Sequence, residues 1–139
     1  VWFDRKDYAK AIADFDEAIR IAPGDARAYN NRGNAYRDMK QYALAMQDYN
    51  KAVSLNPSLA KTFNNRGNIY FDQGNFQMAI ADYDKALALD ATYNLAFLNR
   101  GLAYHELNKD ELACPDFYKA CELGDCDGID WARKSGTCP

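Results

Sequence analysis

The chain has 139 residues, 48% of them hydrophobic and 27% charged, the make-up of one folded domain with enough apolar side chain to build a core. Its formal charge of −3 offers no basic field to neutralise a phosphate backbone, so nucleic acid is not an expected partner. No apolar run approaches the roughly 20 residues a spanning helix needs, so direct membrane insertion of this segment is not expected.

The first element runs from Tyr8 to Ile21, where Ala11, Phe15 and Ala18 recur at three and four positions and so share one helix face. Ala22-Pro23-Gly24-Asp25 ends it with turn residues. A second helical segment follows in Ala28-Tyr29-Asn30-Asn31-Arg32-Gly33-Asn34-Ala35-Tyr36, and a break at Lys40-Gln41 leads to a third with Ala45, Tyr49 and Ala52. Beyond the turn Asn56-Pro57-Ser58 the same two segments return, as Thr62-Phe63-Asn64-Asn65-Arg66-Gly67-Asn68-Ile69-Tyr70 and, past Gln73-Gly74-Asn75, as Ala79, Tyr83 and Ala86. They return once more as Ala96-Phe97-Leu98-Asn99-Arg100-Gly101-Leu102-Ala103-Tyr104 and, past Asn108-Lys109-Asp110, as Ala113, Phe117 and Ala120. Pro115 falls inside that last helix, where its missing donor and ring clash predict a kink or a delayed helix start. Asp127 to Lys134, with Ile129, Trp131 and Ala132, reads as a short capping helix whose outer side carries Asp130, Arg133 and Lys134.

The glycines at 33, 67 and 101 are spaced by 34 residues, and every other landmark keeps that interval. Gly at one helix and Ala at its partner let the two helices of a hairpin approach closely, while the aromatic residues fill the space beside the contact. One hairpin cannot cover its own apolar face, so neighbours stack. Glycine, aromatic, alanine, aromatic, alanine and proline at these offsets resemble the tetratricopeptide signature over residues 1 to 125. The resemblance implies an all-α, right-handed superhelical solenoid of antiparallel helix hairpins with a short C-terminal capping helix. The expected divisions are 1–25 (a partial first repeat, mainly its second helix), 26–59, 60–93 and 94–126 (three repeats), and 127–139 (a cysteine-containing cap). In this frame Trp2 takes the position of Tyr36, so the first repeat lacks most of its first helix and polypeptide upstream of Val1 is expected. Pro23 and Pro57 are replaced by Ala91 and Asp125 in the later copies, so the last two turns between repeats are expected to differ in detail.

Cys114, Cys121, Cys126 and Cys138 all lie in the last 26 residues. Cys114 and Cys121 are seven apart on one helix face, about 10 Å along it and too far to bond to each other. If the chain reverses at Gly124, Cys126 meets Cys121 and Cys138 returns to Cys114, and these two disulfides are the favoured hypothesis. Sequence alone leaves all three pairings open. Small buried hydrophobes are the bland alternative, and a zinc site is disfavoured because the spacings match no paired-knuckle pattern. Bridged cysteines imply a periplasmic or other extracytoplasmic location, free ones a cytoplasmic location.

The resemblance also implies that the first helices line a concave binding side. In the second repeat that side carries Arg27, Asn30, Asn31, Asn34 and Arg37; in the third, Lys61, Asn64, Asn65, Asn68 and Phe71; in the fourth, Leu95, Leu98, Asn99, Leu102 and His105. Asparagine is a poor helix former, so its accumulation in helix interiors needs an offsetting role. One amide can both donate to and accept from a peptide group, which suits a column such as Asn31, Asn65 and Asn99 to gripping an extended backbone. The bland alternative is that these amides bond between neighbouring repeats. Leu95, Leu98 and Leu102 can seat an apolar ligand side chain, or be covered by the chain's own tail or a second copy. Arg32, Arg66 and Arg100 and Asp14, Asp48, Asp82 and Asp116 recur with the period and are expected to pair between packed helices. His105 is the sole histidine, and no phosphate loop, nucleophile elbow or histidine-rich metal motif accompanies it, so catalysis, cofactor and metal are not expected. The expected function is a protein-interaction scaffold that binds a peptide or partner protein. The alternatives are a recognition arm of a larger enzyme or membrane-anchored protein, or a self-association module.

Overall fold

The computed structural model describes residues 5–139, with side chains from residue 7 onward. The expectation for Trp2 lies outside the described residues. Among these residues the order is α1 (Arg5–Ile21), α2 (Ala26–Asp38), α3 (Tyr42–Leu55), α4 (Ala60–Asp72), α5 (Phe76–Leu89), α6 (Asn94–Glu106), α7 (Asp110–Glu122) and α8 (Asp127–Lys134), with no strand. The described residues form two compact units, divided between Asn65 and Arg66.

In the first unit α2 packs on both α1 and α3. Asp25 starts α2 by accepting a hydrogen bond from the Arg27 N–H at 3.0 Å, so one of the four unpaired donors of the first turn is satisfied. Helix α2 stops at Lys40, whose φ of 59° reverses the chain. The Lys40 N–H donates to Arg37 and the Gln41 N–H to Tyr36, which returns the last carbonyls to protein partners. Gly74 (φ 77°) and Asn108 (φ 57°) make the same stop after α4 and α6, each with the same two bonds. Ala45, Tyr49 and Ala52 on α3 are fully buried. A Cβ on Gly33 would stand 2.7 Å from Tyr49 Cε1, so that contact admits hydrogen alone.

The second unit repeats the device twice. Gly67 lies over Tyr83 and Gly101 over Phe117, each at the same 2.7 Å for a notional Cβ. Helix α6 packs on α5 and α7, and α8 packs on α7. Ala113, Phe117, Ile129, Ala132 and Cys138 form a buried cluster, and Leu98, Leu102, Tyr104, Cys114 and Cys121 pack against it. Gly128 at the start of α8 also lies close to this ring, where a Cβ would stand 2.9 Å from Phe117 Cδ1 and 2.5 Å from Leu98 Cδ1. Gly124 (φ 108°) turns the chain between α7 and α8. Cys114 is joined to Cys138 and Cys121 to Cys126, with Cα separations of 5.7 and 4.0 Å, so α8 is tied to α7 at both of its ends.

One local expectation needs correction. Pro115 does not delay α7, which begins at Asp110, because the proline costs one interior bond while the flanking residues are held by burial of Ala113 and Phe117. The turn bearing Ala91 keeps the backbone of the one bearing Pro57 and differs only in detail, by added bonds to Asp90 from the Thr92 hydroxyl and the Tyr93 N–H. Asp90 has φ −141° and ψ 95° where Asn56 has −144° and 93°, and each side-chain oxygen accepts from the N–H two residues on, at 3.0 Å. The Asx bond sets this turn, and proline is dispensable. The turn at Asp125 does differ, since α7 ends in the glycine reversal at Gly124.

Candidate protein-interaction face

The periodic charges are bound internally except Asp14, which, against expectation, is exposed and joins no ion pair among the described residues. Arg32 reaches Asp48 on α3 through two bonds of 2.8 and 2.7 Å and Asp16 on α1 through a third of 2.7 Å. Arg100 repeats this with Asp116 and Asp84, and Arg66 grips Asp82. The aspartates at 48, 82 and 116 are buried, and each arginine Nε and Nη2 form a two-pronged clamp on the carboxylate. These bonds raise the Arg32 and Arg100 pKa values, whereas burial pushes the Asp116 carboxyl up against the opposing pull of Arg100. None of these groups is presented to a ligand.

The asparagines divide into distinct classes. Asn34 accepts from the Tyr49 hydroxyl, and Asn68 accepts from the Tyr83 hydroxyl at 2.7 Å. These amides satisfy buried phenols whose rings fill the hairpin core, and burial pushes the Tyr49 phenol up. Where the third ring is Phe117 and has no hydroxyl, the third amide position is Leu102. The joint change from Tyr and Asn to Phe and Leu is visible in the sequence at a constant offset of 15 residues, although the spacing of single motifs does not reveal it.

Asn30 and Asn64 are buried. Asn30 Oδ1 accepts from Asn65 Nδ2 at 3.1 Å, a bond from α2 to α4 within the first unit. Asn31 is exposed on α2, and Asn65 is half-buried with its amide turned by Asn30. Arg27 and Lys61 are exposed beside them, and Arg37 is half-buried and already has a partner. Arg27 is held by Asp25 at 3.2 Å. The first unit therefore brings Asn31, Asn65, Arg27 and Lys61 to its surface.

In the second unit Asn99 is half-buried and partnered. Phe71 meets Phe76 edge to face, with centroids 5.1 Å apart, and belongs to the packing around Ala79, Tyr83 and Ala103. Leu98 and Leu102 pack against the α7–α8 cluster, so the chain's own tail covers them, and Leu95 is the exposed one of the three. His105 Nδ1 lies 2.7 Å from Asp110, and its ring meets Trp131 edge-on at 5.1 Å. Among the described residues no group of three or more His, Cys, Asp or Glu could hold a metal ion, and no helix is long and apolar enough to cross a membrane.

Comparison with known proteins agrees with this architecture. Models of the tetratricopeptide repeat match residues 26–59, 60–93 and 96–123, and a TPR repeat model matches 1–37. No curated protein matches the chain significantly. Among solved structures, the first TPR of Spaghetti (RPAP3), bound to the HSP90 peptide SRMEEVD, shares 29% identity over 79% of this chain and 89% of that one, with a TM-score of 0.75. The Arabidopsis OM64 TPR domain shares 29% identity over 80% and 93%, with a TM-score of 0.76. YrrB, described as a TPR protein with an unusual peptide-binding site, shares 28% identity over 81% of this chain and 58% of its own, with a TM-score of 0.76. The repeated hairpins, their glycine contacts and these matches lead to one conclusion: the chain belongs to the tetratricopeptide repeat family.

Proposed function

We propose that this protein-interaction scaffold holds an extended peptide through main-chain bonds to the amides of Asn31 and Asn65 in its first unit. The observation that carries the reading is the Asn65–Asn30 bond, because a buried acceptor turns the Asn65 amide and fixes it before any ligand arrives. An amide held in place loses less freedom on binding than a swinging one. Asn65 Oδ1 and its second N–H are then aimed as a pair at a peptide group. Arg27 and Lys61 add positive charge beside the amides, which suits a ligand with acidic side chains. Solved relatives described as peptide-bound or peptide-binding support the class of ligand.

The two disulfides add a setting. Such bonds, here tying α7 to α8 and the tail, persist where thiols are not continually reduced, so the proposed compartment is an oxidising one.

The test starts with peptides selected from a displayed random library on the wild-type chain. Their affinity is then measured by calorimetry for wild type and for the combined Asn31→Ala, Asn65→Ala variant. A loss of about tenfold or more, with unchanged helicity by circular dichroism, is expected for groups that each contribute a net hydrogen bond. Equal affinity, or a library that yields no binder, would overturn the proposal.

A further inference from the structure

The two disulfides differ in what shields them. Cys126 is exposed at the start of α8 and Cys121 is half-buried at the end of α7, so this outer bridge meets solvent directly. The inner bridge does not. Cys138 is buried in the cluster of Ala113, Phe117, Ile129 and Ala132, and its partner Cys114 packs against the same cluster. After a reversal at Gly136 (φ 77°), the Thr137 and Cys138 N–H groups both donate to the Ala132 carbonyl, at 2.8 and 3.1 Å. Cys138 is thereby fixed to the last turn of α8, so helix and sulfur move together.

Helix α8 has eight residues, fewer than the roughly 12–15 an isolated helix needs to persist in water. Few side chains seat it. Ile129 and Ala132 are buried, Gly128 lies against Leu98 and Phe117, and Trp131 stays exposed with edge contacts to His105 and Phe117. Leu98 and Leu102 on α6 pack against this same cluster. A cap so short depends on its two covalent ties to stay over that apolar surface.

We propose that α8 is a redox-gated lid in which the outer bridge is the catch and guards the inner one. A thiolate of a dithiol reductant attacks Sγ of Cys126, the exposed sulfur, and Cys121 leaves as a thiolate. The second thiolate of the reductant then attacks the mixed disulfide. Cys126 leaves in turn, both cysteines take up protons from water, and the reductant ends as its own disulfide, so two electrons have passed to the bridge. Released at its first turn, α8 swings about the remaining Cys114–Cys138 tie. Leu98, Leu102 and Phe117 are uncovered, and the inner sulfurs come within reach of a second reductant molecule.

The oxidised chain is treated with dithiothreitol, quenched at intervals with N-ethylmaleimide and mapped by peptide mass spectrometry. Cys121 and Cys126 are expected to be labelled first, with Cys114 and Cys138 following after a lag. In the Cys121→Ser, Cys126→Ser variant the lag is expected to vanish, and the initial rate of inner-bridge reduction to rise about tenfold or more, as loss of the loop constraint frees the lid. Inner cysteines labelled before the outer pair, or with no lag in the wild-type chain, would overturn the gating whether or not the variant folds, and so would equal initial rates in the two chains. Opening is read separately with a fluorescent apolar dye. When the outer bridge alone is reduced, dye fluorescence is expected to rise about twofold or more while far-ultraviolet circular dichroism is retained. No rise at that stage would overturn the lid.

Discussion

Replacement of Gly67 by alanine separates close helix contact from simple helix propensity, because the two predict opposite signs. In an open helix the change would stabilise by about 1 kcal/mol, since alanine restricts the unfolded backbone and is the best helix former. At Gly67 the new methyl would stand 2.7 Å from Tyr83 Cε1, 3.0 Å from Cδ1 and 3.2 Å from the Ala79 carbonyl oxygen. Tyr83 is 1% exposed and its hydroxyl is bonded to Asn68, so the ring cannot swing away without breaking that bond. The carbonyl belongs to α5, so relief on that side means separating the helices. Overpacking of this kind costs about 1–3 kcal/mol. Set against the propensity gain, the expected net loss is up to about 2 kcal/mol, a fall in Tm of at most roughly 4–8 °C for a chain of this length. Gly24→Ala is the control, since nothing lies within 4 Å of a Cβ there, and its Tm is expected to stay within about 2 °C of wild type. Differential scanning calorimetry reads both. A Gly67→Ala chain that melts at or above the wild-type temperature would refute the close-contact reasoning for the hairpins.

Three further predictions rest on different groups. Arg100→Met is expected to cost about 2–3 kcal/mol because it strands the buried Asp116, and Arg100→Met with Asp116→Leu is expected to cost less than the single change, both read by urea titration. In Arg100→Met burial acts unopposed on Asp116, so its folded pKa stands above the unfolded value. A carboxyl raised in this way favours the fold at low pH and loses that contribution as pH rises through its folded pKa, so the deficit should be smaller at pH 4 than at pH 7. Thr62→Ala is expected to raise stability by about 1 kcal/mol, since the Thr62 hydroxyl is buried without a hydrogen-bond partner and the equivalent positions are Ala28 and Ala96; a loss above about 1 kcal/mol would contradict this. Reduction of the disulfides is expected to cost about 3.5 kcal/mol for Cys114–Cys138 and about 2 for Cys121–Cys126 on the loop-entropy model, and to lower Tm. Four free thiols in the unreduced, denatured chain would contradict both bridges.

Much of the hairpin was legible because it is written three times. Gly33, Gly67 and Gly101 recur opposite Tyr49, Tyr83 and Phe117, and Arg32, Arg66 and Arg100 pair with Asp48, Asp82 and Asp116 as matched charges on facing helices should, while Asp14 joins no ion pair among the described residues. The asparagine face was harder to read, because a 34-residue spacing reveals which side of a helix a residue occupies but not what already bonds to it. Asn34 and Asn68 serve tyrosine hydroxyls, and Asn65 is turned by Asn30. Leu98 and Leu102 share the asparagine register but are covered by α8, whose position depends on the reversal at Gly124 and the two sulfur links. Proline was an uneven guide: its loss at Asp125 goes with a different turn, as expected. The turn at Ala91 copies the backbone of that at Pro57 because an Asx side chain sets it, and Pro115 lies within a continuous α7.

The most direct measurement of main-chain capture uses one library-selected peptide in two sets. One set replaces each side chain in turn by alanine, and the other methylates each backbone nitrogen in turn. If the amides of Asn31 and Asn65 hold the ligand backbone, methylation at one or two neighbouring positions should weaken binding by about tenfold or more, while most alanine changes are tolerated. Strong dependence on side chains with no effect of methylation would contradict the account.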